Sequence, residues 1–346
     1  MHTIVCEHRI EPNMNIFRVV LSIHIICGLL LCVPMAGYGE SPQSSGPQQV
    51  FYMGMILGMG GLGDRSFNDS AYEGLRDAQK KFGIRFEVAE FISEDTNLEV
   101  LRNFARQDYD LIIGIGFENR TNIETVAKEF PDQHFAIIDV VAEGENIASI
   151  VYREQEGDFL MGVLAAMLTR SRKVGFIGGM DIEVIRRIES GFRQGVAYQD
   201  SRVEILSSMA GNFSDPEIGK FLALRQYAAG VDLIYNAAGR TGLGIIEAAK
   251  ETNNLTIGTS GDQRYLAPGH VVGNRPKRVD IAVLTLVQEI RTNRFTPGIR
   301  SFGLQEEGLS LGPFDEKLVT RKMQKHLQQL KQKILAGEIV VKVPGE

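Results

Sequence analysis

Residues 58–63 read GMGGLG and match the pattern G-x-G-x-x-G between an apolar run and a segment of helical periodicity. Glu90 stands at the end of the next apolar run, an arrangement that is typical of a dinucleotide-binding turn. In such a turn the third glycine already lies in the helix, whereas here Ser66 is the better helix cap. A nucleotide-dependent oxidoreductase stays open as an alternative. The interpretation we favour is that these glycines let a ligand approach the backbone.

Other residues that could do chemistry have the wrong spacing for it. His134, His270 and His326 are scattered and do not form a metal-ligand motif, and the sequence has neither an HExxH helix nor a nucleophile elbow. The cysteines all lie in the first 32 residues, which excludes thiol catalysis from the body of the chain. We therefore expect a binding protein that needs no cofactor, and not an enzyme.

Short apolar runs rich in Val and Ile alternate with longer amphipathic segments, which predicts an α/β fold with parallel sheets. The predicted strands are 50–57, 85–89, 111–115, 134–139, 173–177, 203–206, 233–236 and 256–258. The predicted helices are 66–82, 98–107, 122–130, 158–169, 182–198, 216–229, 242–250 and 277–294. A capping box at 96–99 and a cap at Asp215 before a proline support two of the helix starts. A helix over 315–335 and a strand over 338–343 close the chain.

The amino terminus has the order of a secretory signal, because Arg18 precedes an apolar run over 19–31 that small residues follow up to Gly39. Cleavage after Gly39 and lipid attachment at Cys32 both stay open. Export weighs against the oxidoreductase, because an exported protein has no dependable supply of NAD. The signal pattern predicts a leader over 1–39, and the residues 40–49 that follow it are predicted to be a linker to the body.

The body is longer than one hydrophobic core usually organises, so we expect two lobes. The formal net charge is -6, which argues against nucleic acid as a partner because phosphate binding needs a basic face. The predicted first lobe combines 50–151 with 267–303, and the second combines 152–266 with 304–346.

Residues 63–74 read GDRSFNDSAYEG, and this segment resembles the signature of the basic membrane protein family of bacterial lipoproteins. That family consists of nucleoside-binding components of ABC importers. The resemblance implies a type I periplasmic-binding fold, with two Rossmann-like lobes joined by a hinge. It also implies an ABC permease in the inner membrane as partner and a periplasmic, lipid-anchored location. Further segments carry the similarity along the body: 135–139, 154–157, 174–179, 262–263 and 277–280.

The same resemblance implies a set of ligand-binding residues. Phe67 and Tyr235 would enclose a flat heterocyclic ring, which buries apolar area while selecting for flatness. Asn68 and Asp139 would contact the edge of the ring. The remaining members would bind the polar part of the ligand, through backbone N–H groups or a side-chain ammonium: Gly239, Gly242 and Lys277.

One departure from the family pattern concerns the identity of the ligand. Where the family reads Gly-Val-Asp-x-Asp-Gln, residues 258–263 read GTSGDQ, so Ser260 replaces the first aspartate. In the family that carboxylate resembles a clamp on the ribose diol, and a neutral serine is a weaker substitute. A flat ring with a different polyol, as in riboflavin, therefore fits better, as cargo and not as a cofactor. A purine nucleoside stays open as the alternative.

Overall fold

The computed structural model describes residues 49–343. The predicted leader over 1–39, most of the linker over 40–49 and the candidate lipidation site Cys32 lie outside the described residues.

The described residues form eleven strands and nine α-helices. In chain order the strands are β1 (Tyr52–Ile56), β2 (Arg85–Ala89), β3 (Leu111–Ile115), β4 (Phe135–Ile138), β5 (Ile147–Tyr152), β6 (Lys173–Gly178), β7 (Glu204–Met209), β8 (Leu233–Ala237), β9 (Leu255–Gly258), β10 (Val271–Asn274) and β11 (Gly298–Phe302). The helices are α1 (Phe67–Phe82), α2 (Glu94–Arg106), α3 (Arg120–Glu129), α4 (Glu154–Leu168), α5 (Glu183–Gln199), α6 (Pro216–Ala228), α7 (Gly242–Glu251), α8 (Val279–Arg291) and α9 (Arg321–Leu335).

The strands form two parallel sheets, which confirms the predicted two-lobed α/β fold. The first sheet has the order β11-β5-β4-β3-β1-β2 and the second the order β10-β9-β8-β6-β7. The inner strands β3, β4 and β8 are buried along their whole length. Parallel sheets covered by helices on both faces produce such continuous apolar strands.

Helix starts follow local hydrogen bonding. The Asp215 carboxylate accepts from the backbone N–H groups of Glu217 at 3.0 Å and Ile218 at 3.3 Å, which confirms the predicted cap of α6. The predicted start of α2 at residue 98 is wrong. Ser93 caps this helix by accepting from the Thr96 N–H at 3.3 Å, so α2 begins at residue 94 and the Thr96 capping box does not form.

The predicted lobe boundary at residue 267 is also wrong. β10, which the sequence pattern did not reveal, pairs with β9, so the second sheet extends to residue 274. The chain then returns to the first lobe, where α8 packs on α1. A β-carbon added at Gly74 would come within 2.7 Å of the Asp280 carbonyl oxygen, so this packing requires glycine. The lobes are joined by the connections β5–α4, β10–α8 and the segment after β11.

The strand predicted over 338–343 does not form. Gln194 of α5 provides both partners for this segment, because its side chain accepts from the Lys342 N–H at 3.0 Å and donates to the Lys342 carbonyl oxygen at 2.8 Å. The Gln194 amide thus takes up the backbone N–H and carbonyl groups of Lys342, which in a strand would bond to a neighbouring strand.

Candidate functional site

A cleft lies at the carboxyl ends of the two sheets and holds about 690 Å³, counting the part open to solvent. Residues that follow β1, β3 and β4 line one wall, and residues that follow strands β6 to β10 line the other. Open parallel sheets place ligand groups at these ends.

The glycine segment 58–63 forms a turn at the first wall. Asn68 accepts from the Gly58 N–H at 2.8 Å and donates to the Asp64 carboxylate at 3.0 Å, so its amide holds the turn against the start of α1. Gly63 lies before α1 begins, unlike the third glycine of a dinucleotide-binding turn. Phe67, which the resemblance implied as one of the two residues enclosing the ring, is half-buried and lines the cleft beside Asn68.

Glu118, at the end of β3, supports the same turn and lines the cleft. Its carboxylate accepts from the Met59 N–H. Desolvation raises the pKa of Glu118 above its usual value, and the nearby charge of Asp139 adds to the effect. The first wall therefore carries two carboxyl groups whose charge is costly in this confined space.

Asp139 and Lys277, both predicted as ligand contacts, are bound to each other. The Lys277 ammonium lies 2.8 Å from each Asp139 oxygen and 2.9 Å from a Glu154 oxygen. Burial raises the pKa of Asp139, and the Lys277 charge opposes that rise. Asp139 also has a φ of 82°, a strained conformation for a residue with a β-carbon. Such strain is common at ligand-binding positions.

The ion network continues into both lobes. Nζ of Lys277 lies 5.5 Å from the ring centroid of Phe67 and 5.1 Å from that of Tyr152, both in cation–π range. The second Glu154 oxygen lies 3.0 Å from Nε of Arg187. Lys277 thus joins the β4 end of the first lobe to the start of α4 in the second.

The second wall is largely apolar. Phe213, in the segment after β7, is half-buried and lines the cleft opposite the first wall. Gly239 and Ser260, both predicted site residues, follow β8 and β9 and line it as well. Four aliphatic residues complete this wall at the start of α5: Ile182, Val184, Ile185 and Ile188.

Sequence and structure comparisons point to one family. The model of the PnrA-like ABC transporter substrate-binding proteins matches residues 51–344. The chain belongs to this family. Basic membrane protein A of Borreliella burgdorferi is 33% identical over 82% of this chain and 85% of its own length. The CD4+ T-cell-stimulating antigen of Listeria innocua is 32% identical over 94% of this chain and 98% of its own.

A solved structure supports the same assignment. An ABC transporter solute-binding protein from Aeropyrum pernix K1 superposes with a TM-score of 0.79 at 30% identity, over 86% of this chain and 94% of that one. The fold is that of type I periplasmic-binding proteins, as the sequence resemblance implied. Membership of the substrate-binding family implies a small-molecule ligand, a permease partner and a location outside the cytoplasm.

Two residues predicted from the family resemblance lie behind the cleft of this substrate-binding protein. Tyr235 is fully buried, stacks on Phe192 at 4.8 Å between ring centroids, and donates from its hydroxyl to Asp158. Gly242 is covered by Asn236, whose amide would lie 2.4 Å from an added β-carbon. Neither residue lines the cleft, and the aromatic lining residue that the second lobe provides is Phe213.

Several lining residues of this substrate-binding protein were missed in the sequence. Phe213 and Glu118 each follow a strand end closely, which was the available signal. Arg275 escaped notice because β10, the strand that precedes it, was not predicted.

The two walls of the binding protein also touch at the cleft mouth. Arg240 donates to the Gly60 carbonyl oxygen at 3.2 Å, and Gln263 donates to the Arg65 carbonyl oxygen at 3.1 Å. Both donors belong to the second lobe and both acceptors to the first. These hydrogen bonds join the two lobes directly.

Two further features bear on the function of the binding protein. Within residues 49–343, His, Cys, Asp and Glu side chains form no cluster of three or more that could hold a metal ion. The helices of this same region lack the combination of length and apolar character that crossing a membrane requires.

Proposed function

We propose that this substrate-binding protein captures riboflavin and delivers it to an ABC permease. The observation that carries the proposal is Ser260, a neutral hydroxyl at a buried cleft position where the family motif has an aspartate. The isoalloxazine ring would occupy the apolar part of the cleft, and the ribityl chain would reach the polar part.

The apolar part suits a flat ring. Phe67 stands on the first wall and Phe213 on the second, with the aliphatic residues of α5 beside them. A ring held between two aromatic side chains buries apolar area on both faces, and offset stacking adds about 0.5–1.5 kcal/mol for each pair. Asn68 and Asp139 also line the first wall, and a contact with the edge of the ring would compete with their hydrogen bonds to Asp64 and Lys277.

The polar part suits an open polyol better than a ribose ring. A carboxylate can accept from both hydroxyls of a ribose diol, whereas the single hydroxyl of Ser260 cannot clamp the pair with charge. Lys277 also lines the cleft, and a ligand hydroxyl could enter its contact with Asp139. Ligand contacts with both lobes would shift the population toward the closed form.

A purine nucleoside is the second candidate. Asn68 and Asp139 favour it, because an amide and a carboxylate match the N–H groups and acceptors on a purine edge. Ser260 weighs against a nucleoside, because its single neutral hydroxyl cannot hold both hydroxyls of the ribose diol as a carboxylate can.

Competitive titration of riboflavin and inosine separates the two. We expect the native protein to prefer riboflavin and Ser260→Asp to gain inosine affinity by about tenfold, the effect of one charge-assisted hydrogen bond. Ser201→Asp, a substitution at an exposed residue that does not line the cleft, serves as the control for the added charge. Tight inosine binding that Ser260→Asp leaves unchanged would contradict the proposal.

We also propose that Cys32 carries the lipid that anchors the protein at the membrane, with the linker over 40–49 as a tether. Mass spectrometry of the mature amino terminus tests this, since cleavage after Gly39 would remove the cysteine.

A further inference from the structure

Arg275 follows β10 and lines the cleft, although its side chain is 0% exposed. Its Nε donates to Asp158 at 2.7 Å. Its two terminal nitrogens, Nη1 and Nη2, have no hydrogen-bond partner within residues 49–343. Burying a charged donor without an acceptor costs free energy, so we expect these two nitrogens to bind an acceptor that the ligand provides.

The surroundings of Arg275 fix the direction of its guanidinium. Asp158 holds Nε and is itself held by the Tyr235 hydroxyl, and burial raises the pKa of Asp158 to about 6. Gly157 leaves room for the aliphatic stem, since a β-carbon there would lie 2.8 Å from Cδ of Arg275. The Tyr235 hydroxyl lies close to the guanidinium but is already bonded to Asp158, so the edge that carries both Nη atoms still lacks a well-formed acceptor and is left as a two-pronged donor.

We propose that Arg275 determines ligand specificity by donating from Nη1 and Nη2 to two adjacent acceptors on one edge of the ligand ring. This inference rests on the proposed binding of a flat heterocycle in the cleft. The matching edge carries a carbonyl oxygen beside an unprotonated ring nitrogen, as arginine recognises O6 and N7 of guanine.

Riboflavin carries two such edges, one with O4 and N5 and the other with O2 and N1. Among purines, 6-oxopurines present the pair, whereas adenine presents an amino donor beside N7. An amino group facing the guanidinium would leave one Nη unpaired. Arg275 thus selects oxo-substituted rings over amino-substituted ones.

Arg275→Lys provides the test, because lysine keeps a positive charge beside Asp158 but cannot form the planar fork. We expect riboflavin affinity to fall between about tenfold and a hundredfold, the effect of losing a charge-assisted pair. Arg278→Lys is the matched control, because Arg278 pairs with Asp280 and does not line the cleft. It should bind riboflavin like the native protein. A thermal melt of each variant checks that both fold.

Ligand analogues separate a direct contact from a structural role. 1-Deazariboflavin and 5-deazariboflavin each lack one ring-nitrogen acceptor. The native protein should bind one of these two analogues at least about tenfold more weakly than riboflavin, namely the analogue that lacks the nitrogen contacted by Arg275. In Arg275→Lys that difference should vanish. Equal binding of riboflavin and both analogues by the native protein, or an undiminished difference in the variant, would overturn the role of Arg275.

A native protein that binds nucleosides and not riboflavin would overturn the proposed cargo and leave the inference testable on purines. Inosine should then bind more tightly than adenosine, and Arg275→Lys should remove the preference. Equal binding of the two nucleosides would overturn the inference. Binding of neither riboflavin nor nucleosides would refute both the proposed function and the ligand class assigned to Arg275.

Discussion

Replacing Lys277 by methionine should destabilise the protein strongly and in a pH-dependent way. The ammonium contacts Asp139 twice at 2.8 Å and Glu154 at 2.9 Å, and it is 6% exposed. Methionine preserves the length of the side chain but leaves two buried carboxyl groups without their shared cation. Breaking a buried ion pair from one side costs about 3–5 kcal/mol of unfolding free energy.

The pH dependence follows from the pKa of Asp139, which burial already raises above its usual value. Without Lys277 the largest charge that opposes the rise is lost and only the weaker effect of Arg187 remains, so the folded variant binds a proton at Asp139 more readily than the unfolded chain. Stability of the variant relative to native protein should therefore increase as the pH falls through the raised pKa. The recovery amounts to about 1.4 kcal/mol per pH unit for each additional proton bound by the folded state.

Urea unfolding of the native protein and of Lys277→Met at pH 7 and pH 5 measures both effects. Lys80→Met is the matched control, because Lys80 is exposed and its contact with Asp77 at 3.1 Å contributes at most about 1 kcal/mol. If Lys277→Met were no less stable than the control at pH 7, the network would not support the hinge. An equal loss at both pH values would refute the assignment of Asp139 as the group that takes up the proton.

Three further predictions concern the walls of the cleft. Tyr235→Phe should lower the unfolding free energy by about 1–2 kcal/mol in urea titration, through loss of a buried hydrogen bond, while the ring packing is retained. Phe213→Ala should weaken riboflavin binding by about tenfold or more in fluorescence titration, whereas Phe221→Ala, at a ring that is 58% exposed on α6, should not. Arg240→Ala removes the contact with Gly60 between the two lobes. The ligand dissociation rate, measured by stopped flow, should then rise about threefold to tenfold. An unchanged rate would show that this contact does not hold the cleft closed.

Local chemistry in the sequence predicted those parts of the fold that short-range interactions decide. The alternation of apolar runs and amphipathic segments identified parallel sheets, and Asp215 before a proline located the start of α6. Asp139 could be placed in the cleft because it ends an apolar strand. These features depend on neighbours in the sequence, so one chain is enough to recognise them.

Features decided by tertiary contacts were not accessible in this way. The residues next to Tyr235 in the sequence are apolar, so they do not show which face of β8 its side chain occupies. Its place in the core is decided by contacts with Phe192 and Asp158, which are distant in the sequence. β10 is a four-residue strand that contains a glycine, so its pattern is too weak to distinguish from a loop. Missing β10 displaced the lobe boundary and hid Arg275.

The most direct test of the proposed cargo is the absorbance spectrum of protein purified from a medium that contains riboflavin. We expect a yellow protein with flavin bands at about one flavin per chain, a ratio that denaturation and quantification of the released flavin would verify. A colourless protein that titrates with inosine or guanosine, and not with riboflavin, would contradict the account.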